Sequence, residues 1–132
     1  MSICHCAFLR SATRKVTAAY DQALVPFGIN IAQYSLLRRV ERLQPVSLTE
    51  LGRDTELERS TIGRNVRVLE RMGLVETRRS EADLRESVVA LTPRGLALLG
   101  QAGPAWQQCQ QDLEARLGAV RITALREILG AI

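Results

Sequence analysis

The sequence predicts a mainly α fold with one small β-hairpin (α+β), and three observations predict it. Apolar residues recur at helical spacing over most of the chain. Only residues 74–79 and 86–91 read as strands, placed on either side of a polar turn, Ser80-Glu81-Ala82-Asp83-Leu84-Arg85. Ahead of that hairpin, a capped short helix, a tight turn and an Arg-rich helix follow one another without a break.

Taken in order, Cys4 to Val25 reads as a helix, with Phe8, Ala12, Val16, Ala19, Tyr20 and Leu24 near helical period and Pro26 and Gly28 as its stop. A second helix fits Ile31 to Leu43. Tyr34, Leu37, Val40 and Leu43 form its apolar stripe, Arg38, Arg39 and Arg42 fall elsewhere on the wheel, and Gln44-Pro45 closes it. Ser47-Leu48-Thr49-Glu50 has the capping-box pattern, in which a Ser hydroxyl satisfies an orphan amide and a Glu three residues on reaches back. The helix it opens is short, turning Leu48 and Leu51 inward, and gives way near Thr55-Glu56 before the next opens near Glu58.

Gly73 supplies a left-handed stop, after which Leu74 to Arg79 and Glu86 to Leu91 form the hairpin. Thr92 then caps a helix whose first residue, Pro93, lacks an amide proton that would have had no partner anyway. That helix reaches Leu117 with Leu96, Leu99, Trp106, Leu113 and Leu117 apolar, and Gly103-Pro104 should kink it. A final helix runs from about Val120 to Ile132, carrying Ile122, Leu125, Ile128 and Leu129. The expected organisation is one domain over 1–132, with a helix-turn-helix and wing in 31–92 and a helical dimerisation region from 1–30 and 93–132.

Composition narrows the function classes. No run of about 18 apolar residues is present and the N-terminus has no signal-peptide pattern, so a cytoplasmic protein without a membrane partner is expected. With 18 Lys+Arg against 14 Asp+Glu, the charge permits a polyanion partner without requiring one. Of the 18 basic residues 17 are Arg, whose planar fork suits phosphates and guanine edges, although an Arg-favouring codon bias would give the same count.

The position of the arginines is more telling. With Ile62 at the centre of the buried face, steps of 100° place Val66 and Leu69 beside it and Ser60, Arg64, Arg67 and Arg71 opposite, with Thr61 and Val68 on the flanks. Such a face suits a DNA major groove; the bland reading is a solvated helix surface. What favours DNA is the company this face keeps, since a solvated face requires neither a capped helix before it nor a hairpin after it. In the hairpin, Asp83 and Arg85 sit two apart and on a strand edge would point the same way, so Asp83 could pose Arg85 for a minor groove; the bland alternative is a surface ion pair worth about 0 to 1 kcal/mol.

Ser47-Leu48-Thr49-Glu50-Leu51, Glu58-Arg59-Ser60-Thr61-Ile62-Gly63-Arg64, Leu69-Glu70-Arg71-Met72-Gly73-Leu74-Val75, Asp83-Leu84-Arg85 and Leu91-Thr92-Pro93-Arg94-Gly95 together resemble the MarR family of bacterial winged helix-turn-helix transcriptional regulators. The similarity extends more loosely to Gln33-Tyr34-Ser35-Leu36-Leu37 and to the helical ends. It implies a homodimer that grips a pseudo-palindromic operator in double-stranded DNA, more often as a repressor. Ser60, Thr61 and Arg64 would approach the major groove, Arg85, oriented by Asp83, would enter the minor groove, and Ser47, Arg67 and Arg71 complete the expected DNA-binding set. Three departures stand out: Glu56 where a Gly is common, Leu84 where a basic residue is frequent, and Gly103-Pro104 in the long helix. The resemblance also implies a small aromatic or amphipathic effector between the dimer helices and the DNA lobe, for which Tyr20, Phe27, Tyr34 and Trp106 are candidates, although aromatics at helical spacing are more often core.

Cys4, Cys6 and Cys109 are an odd number, which speaks against a disulfide framework. They are candidate redox thiols or simple buried or idle ones. Cys4-His5-Cys6 invites a metal reading, but on a helix successive side chains diverge by about 100°, so the three converge on one ion only if the terminus unwinds. No cofactor is expected, and no enzyme: one His, no nucleophile beside a base, no Gly-rich phosphate loop and no convergent acid pair are present. The competing class is a winged-helix module that binds protein without DNA, which an uncharged reading face would favour and Arg64, Arg67 and Arg71 oppose.

Overall fold

The computed structural model describes Ser2–Ile132. Five helices and three short strands follow in the order α1 (His5–Leu24), a 3-10 turn (Val25–Phe27), α2 (Ile31–Leu43), β1 (Val46–Ser47), α3 (Leu48–Thr55), α4 (Arg59–Arg71), β2 (Val75–Arg79), β3 (Ser87–Leu91) and α5 (Pro93–Ala131). The architecture is a winged helix-turn-helix flanked by α1 and α5. Each boundary has a local cause. Gly28 takes φ 71° after the turn that holds Pro26, and Gly73 takes φ 76° after α4.

Helix α2 starts with a reciprocal cap beyond those expected from the sequence. The Gln33 amide donates to the Asn30 side chain at 2.9 Å, and the Asn30 amide donates to the Gln33 side chain at 3.0 Å. At α3 only half of the expected box forms: Ser47 Oγ accepts the Glu50 amide at 3.1 Å. Thr92 Oγ1 caps α5 by accepting the Gly95 amide at 3.0 Å, and its own proton goes to the Gly73 carbonyl at 2.7 Å.

The hairpin is part of a three-stranded antiparallel sheet of order β1-β3-β2, with Val46 opposite Val89 and Val75 opposite Leu91. The third strand is an addition to the hairpin expected from sequence. It lets Val46, Val75 and Val89 turn one apolar face onto Leu37, Val40, Leu51, Ile62, Val66 and Leu69, all essentially fully buried. At about 1.5 to 3 kcal/mol for each such side chain removed from water, this cluster is what holds two short helices and a small sheet against α2.

In helix α5 the backbone keeps helical dihedrals through Gly103-Pro104, where a kink is expected, and the non-helical residue is Gly118 (φ 82°, ψ 161°), a conformation essentially confined to glycine. Pro104 withholds an amide only from the carbonyl of exposed Gly100, which water can satisfy. The chain beyond Gly118 therefore points in its own direction, as a separate final helix would. Around Tyr20, α1 and α5 meet, and its hydroxyl donates to Gln110 Oε1. Phe8 and Leu9 on α1, and Val120, Leu125, Ile128 and Leu129 beyond the break, remain exposed.

Candidate nucleic-acid interface

The site begins with the turn between α3 and α4. Leu57 donates its amide to the Gly52 carbonyl at 3.0 Å, and a Cβ on Gly52 would come within 3.1 Å of the Leu57 carbonyl oxygen, so the close approach suits a glycine there. Glu56 sits at φ 57°, ψ 34°, the left-handed geometry a glycine would adopt more readily. Behind the turn, Asp54 is clamped by two guanidinium groups of α2, Arg39 and Arg42, each at 2.9 Å. That clamp fixes the end of α3 to α2.

Helix α4 presents the faces expected of it. Ile62, Val66 and Leu69 are buried with Gly63; Ser60, Arg64, Arg67 and Arg71 are exposed; Thr61 and Val68 are half-buried. Arg64 Nη2 lies 3.4 Å from Thr61 Oγ1, and among the described residues Arg64, Arg67 and Arg71 hold no ion pair. The acid of this helix that faces the wing, Glu70, accepts the Thr77 amide at 3.1 Å and the Thr77 hydroxyl.

Ser47 does not share that surface. It is 3% exposed and its hydroxyl serves as the α3 cap, so the expected contact from its side chain is replaced by a structural role.

The wing brings Asp83 and Arg85 together, though in a turn and not along a strand edge. Asp83 Oδ1 accepts the Arg85 amide at 3.0 Å and lies 3.6 Å from Arg85 Nε. Ser80 Oγ accepts the amides of Ala82 and Asp83, which stiffens the same turn. The Arg85 side chain is 94% exposed. Exposed Arg78 and Arg79 on β2 lie outside the DNA-binding set expected from sequence; both border a cleft with Ser47, Glu50 and Ser80 beside the start of α3.

The four aromatic candidates do not converge on one cavity. Tyr34 is core and stacks on Trp106 with centroids 5.8 Å apart, and the Arg38 guanidinium lies 4.5 Å from the Trp106 ring centre. Burial raises the Tyr34 pKa, against the pull of Arg38 and with a push from Glu41. Phe27 packs on the core. Tyr20 alone lines a cleft between α1 and α5, of about 460 Å³, which it shares with Val16, Cys109 and Leu113. Burial, then Cys109 and Glu114, raises the Tyr20 pKa; burial, then Asp112, raises that of Cys109. Cys4 and Cys6 are exposed at the start of α1, and no group of three or more metal-ligating side chains occurs among the described residues. No described helix is long and apolar enough to cross a membrane.

Known proteins give this geometry its family. Residues 27–86 match the model of the MarR family. The DNA complex of the Mycobacterium tuberculosis transcriptional regulator MosR superposes with a TM-score of 0.84 at 34% identity, over 98% of this chain and 95% of that one. The transcriptional repressor CouR, solved on a DNA duplex, gives 0.86 at 25% identity, over 97% and 91%. The organic hydroperoxide resistance transcriptional regulator of Bacillus subtilis is 27% identical over 97 residues, 74% of this chain and 66% of that protein's length. All three are transcriptional regulators or repressors. With a matched lobe, an identity above 30% spread over nearly the whole chain and a shared winged helix, the chain belongs to the MarR family of transcriptional regulators.

Proposed function

We propose that this protein is a cytoplasmic, sequence-specific DNA-binding regulator that acts as a homodimer on a pseudo-palindromic operator, as a repressor. The observation that carries the reading is the outer face of α4, where Arg64, Arg67 and Arg71 stand exposed, without an ion pair among the described residues, opposite a fully buried apolar stripe. Cations serve phosphates, a guanidinium fork suits a guanine edge, and Ser60 and Thr61 near the helix start are short enough for close approach. Arg85, at the tip of the wing and aimed by Asp83, is suited to a minor groove.

In this reading, residues 31–92 form the DNA lobe and 1–30 with 93–132 the dimerisation region. The exposed apolar groups of α1 and of α5 beyond Gly118 support a second copy as their cover. Two-fold symmetry then sets the reading helices about 34 Å apart, one duplex turn. MosR and CouR, both solved on DNA, support the same partner, and CouR's description as a repressor supports the sign of control.

For release, the exposed pair Cys4 and Cys6 supports oxidation of a thiol, in keeping with the hydroperoxide-resistance regulator among the relatives. A small amphipathic ligand in the Tyr20 cleft is the other route. The test is selection of duplexes from a randomised pool, followed by affinity against salt. Log affinity should fall steeply with log salt, and Arg64→Ala should cost about 1 to 3 kcal/mol without unfolding the protein. A flat salt response would reject DNA as the partner, and unchanged binding would remove Arg64 from the reading surface.

A further inference from the structure

Strand β2 is an edge strand: in the order β1-β3-β2 its far side has no neighbouring strand among the described residues. An edge of this kind leaves backbone amides without a ladder partner. At Thr77 that amide is satisfied by Glu70, seven residues back on α4, at 3.1 Å, and the Thr77 hydroxyl donates to the same carboxylate oxygen, Oε2. The base of the wing is already held to α4, by the Leu74 amide on the Leu69 carbonyl at 3.0 Å and by Val75 and Val89 in the shared core. Glu70 adds a second tie farther along the strand toward the tip.

From these contacts we propose that Glu70 is a positioning residue: by gripping both donors of Thr77 it fixes the angle between the reading helix and the wing, and so the register in which Arg64 and Arg85 meet one duplex. The proposal rests on the DNA-binding reading above. Two tethers at different distances from a turn define an inclination where one leaves a hinge. Glu70 also carries a charge among Arg67 and Arg71, so its removal would strengthen binding to any duplex; positioning and charge must therefore be separated. A glutamine separates them. Both bonds go to one oxygen, and the single amide oxygen of Gln accepts both without the charge.

The experiment compares wild type, Glu70→Gln and Glu70→Ala on a duplex selected by the wild type and on a scrambled one at the same salt, with hydrogen exchange at the Thr77 amide of the free proteins. Both variants should gain equally on scrambled DNA. Glu70→Ala should lose about fivefold in the ratio of selected to scrambled affinity, the change that goes with an ordinary hydrogen bond of about 1 kcal/mol, while Glu70→Gln keeps the ratio within about twofold of wild type. The Thr77 amide should be protected in wild type and Glu70→Gln and fast in Glu70→Ala. Equal loss of the ratio in both variants, or no loss in either, overturns the positioning role. Fast Thr77 exchange in wild type overturns the tie itself. A wild type that selects no duplex would instead reject the DNA reading, whatever the exchange at Thr77 shows.

Discussion

Gly95 is where the wing, the end of α4 and the long helix meet, and it has no room for a side chain. A Cβ built there would lie 2.0 Å from the Leu74 carbonyl oxygen and 3.0 Å from the Leu74 carbonyl carbon. Both are backbone atoms of a buried residue, and the Thr92 amide holds that same carbonyl at 3.1 Å. Gly95→Ala cannot be absorbed by a rotamer change, so α5 or the start of β2 must shift. Overpacking of this kind costs about 1 to 3 kcal/mol, occasionally more, and a clash this short with backbone belongs at the upper end. At about 4 °C per kcal/mol for a domain of this size, thermal midpoint should fall by about 10 °C. Gly100→Ala is the internal control. It lies in the same helix, and a Cβ placed on it would meet nothing within 4 Å, so it should gain about 0.5 to 1 kcal/mol from helix propensity alone. Melts of the two variants and wild type at one protomer concentration decide the matter. If Gly95→Ala melts within about 2 °C of wild type, or falls no further than Gly100→Ala, the junction is not the tight one described.

Glu56→Gly should stabilise by up to about 1.5 kcal/mol, since the left-handed residue costs about 1 to 2 and glycine gives back about 0.4 to 1 through the unfolded chain; a destabilised variant in denaturant titration would refute it. Tyr20, Tyr34 and Cys109 all have raised pKa values, from ordinary values of 10.0, 10.0 and 9.0. The folded state thus holds their protons longer than the unfolded state, and this stabilisation, complete below the unfolded values, should be lost as pH rises through about 9 and above. Thermal midpoints across alkaline pH should decline, less steeply in Cys109→Ala; a rise would contradict the sign. Peroxide should weaken operator binding in wild type but not in Cys4→Ser/Cys6→Ser, and equal responses in both would end the thiol reading.

Periodicity was enough to place Ile62, Val66 and Leu69 inward and the arginines outward, because a helix turns by a fixed angle and that angle needs no tertiary information. Gly73 and Thr92 were legible for the same local reason. The cap formed by Asn30 and Gln33 carried the same kind of signal as Ser47-Leu48-Thr49-Glu50 and could have been read from it. Strand β1 could not: two residues, Val46 and Ser47, show no alternation, and only pairing with β3 makes them a strand. Burial of Ser47 follows from that pairing, which is why its hydroxyl caps and does not reach outward. Pro104 shows what propensity leaves open: it names the carbonyl that loses its amide, Gly100, but only the fold places that residue at the exposed surface where water can reach it. The break at Gly118 was visible only as a gap between two apolar stripes.

The charge of the reading surface is likewise a tertiary property. Residues 47–95 carry equal numbers of acidic and basic groups, so no field is expected from the segment as a whole. Folding then assigns several of the acids to partners away from the front of α4. Asp54 goes to Arg39 and Arg42 on α2, which lie outside the segment, Glu70 goes to Thr77, Asp83 to the wing turn, and Glu76 faces Arg78 at 3.9 Å. Arg64, Arg67 and Arg71 receive none of them. The exposed arginines of α4 thus keep their charge in a segment that is neutral as a whole, in part because Asp54 and Glu76 pair with other arginines. The ion pair at Asp54 couples shape to charge: losing Arg39 and Arg42 would loosen the end of α3 and at the same time leave an unneutralised carboxylate on the helix-turn-helix.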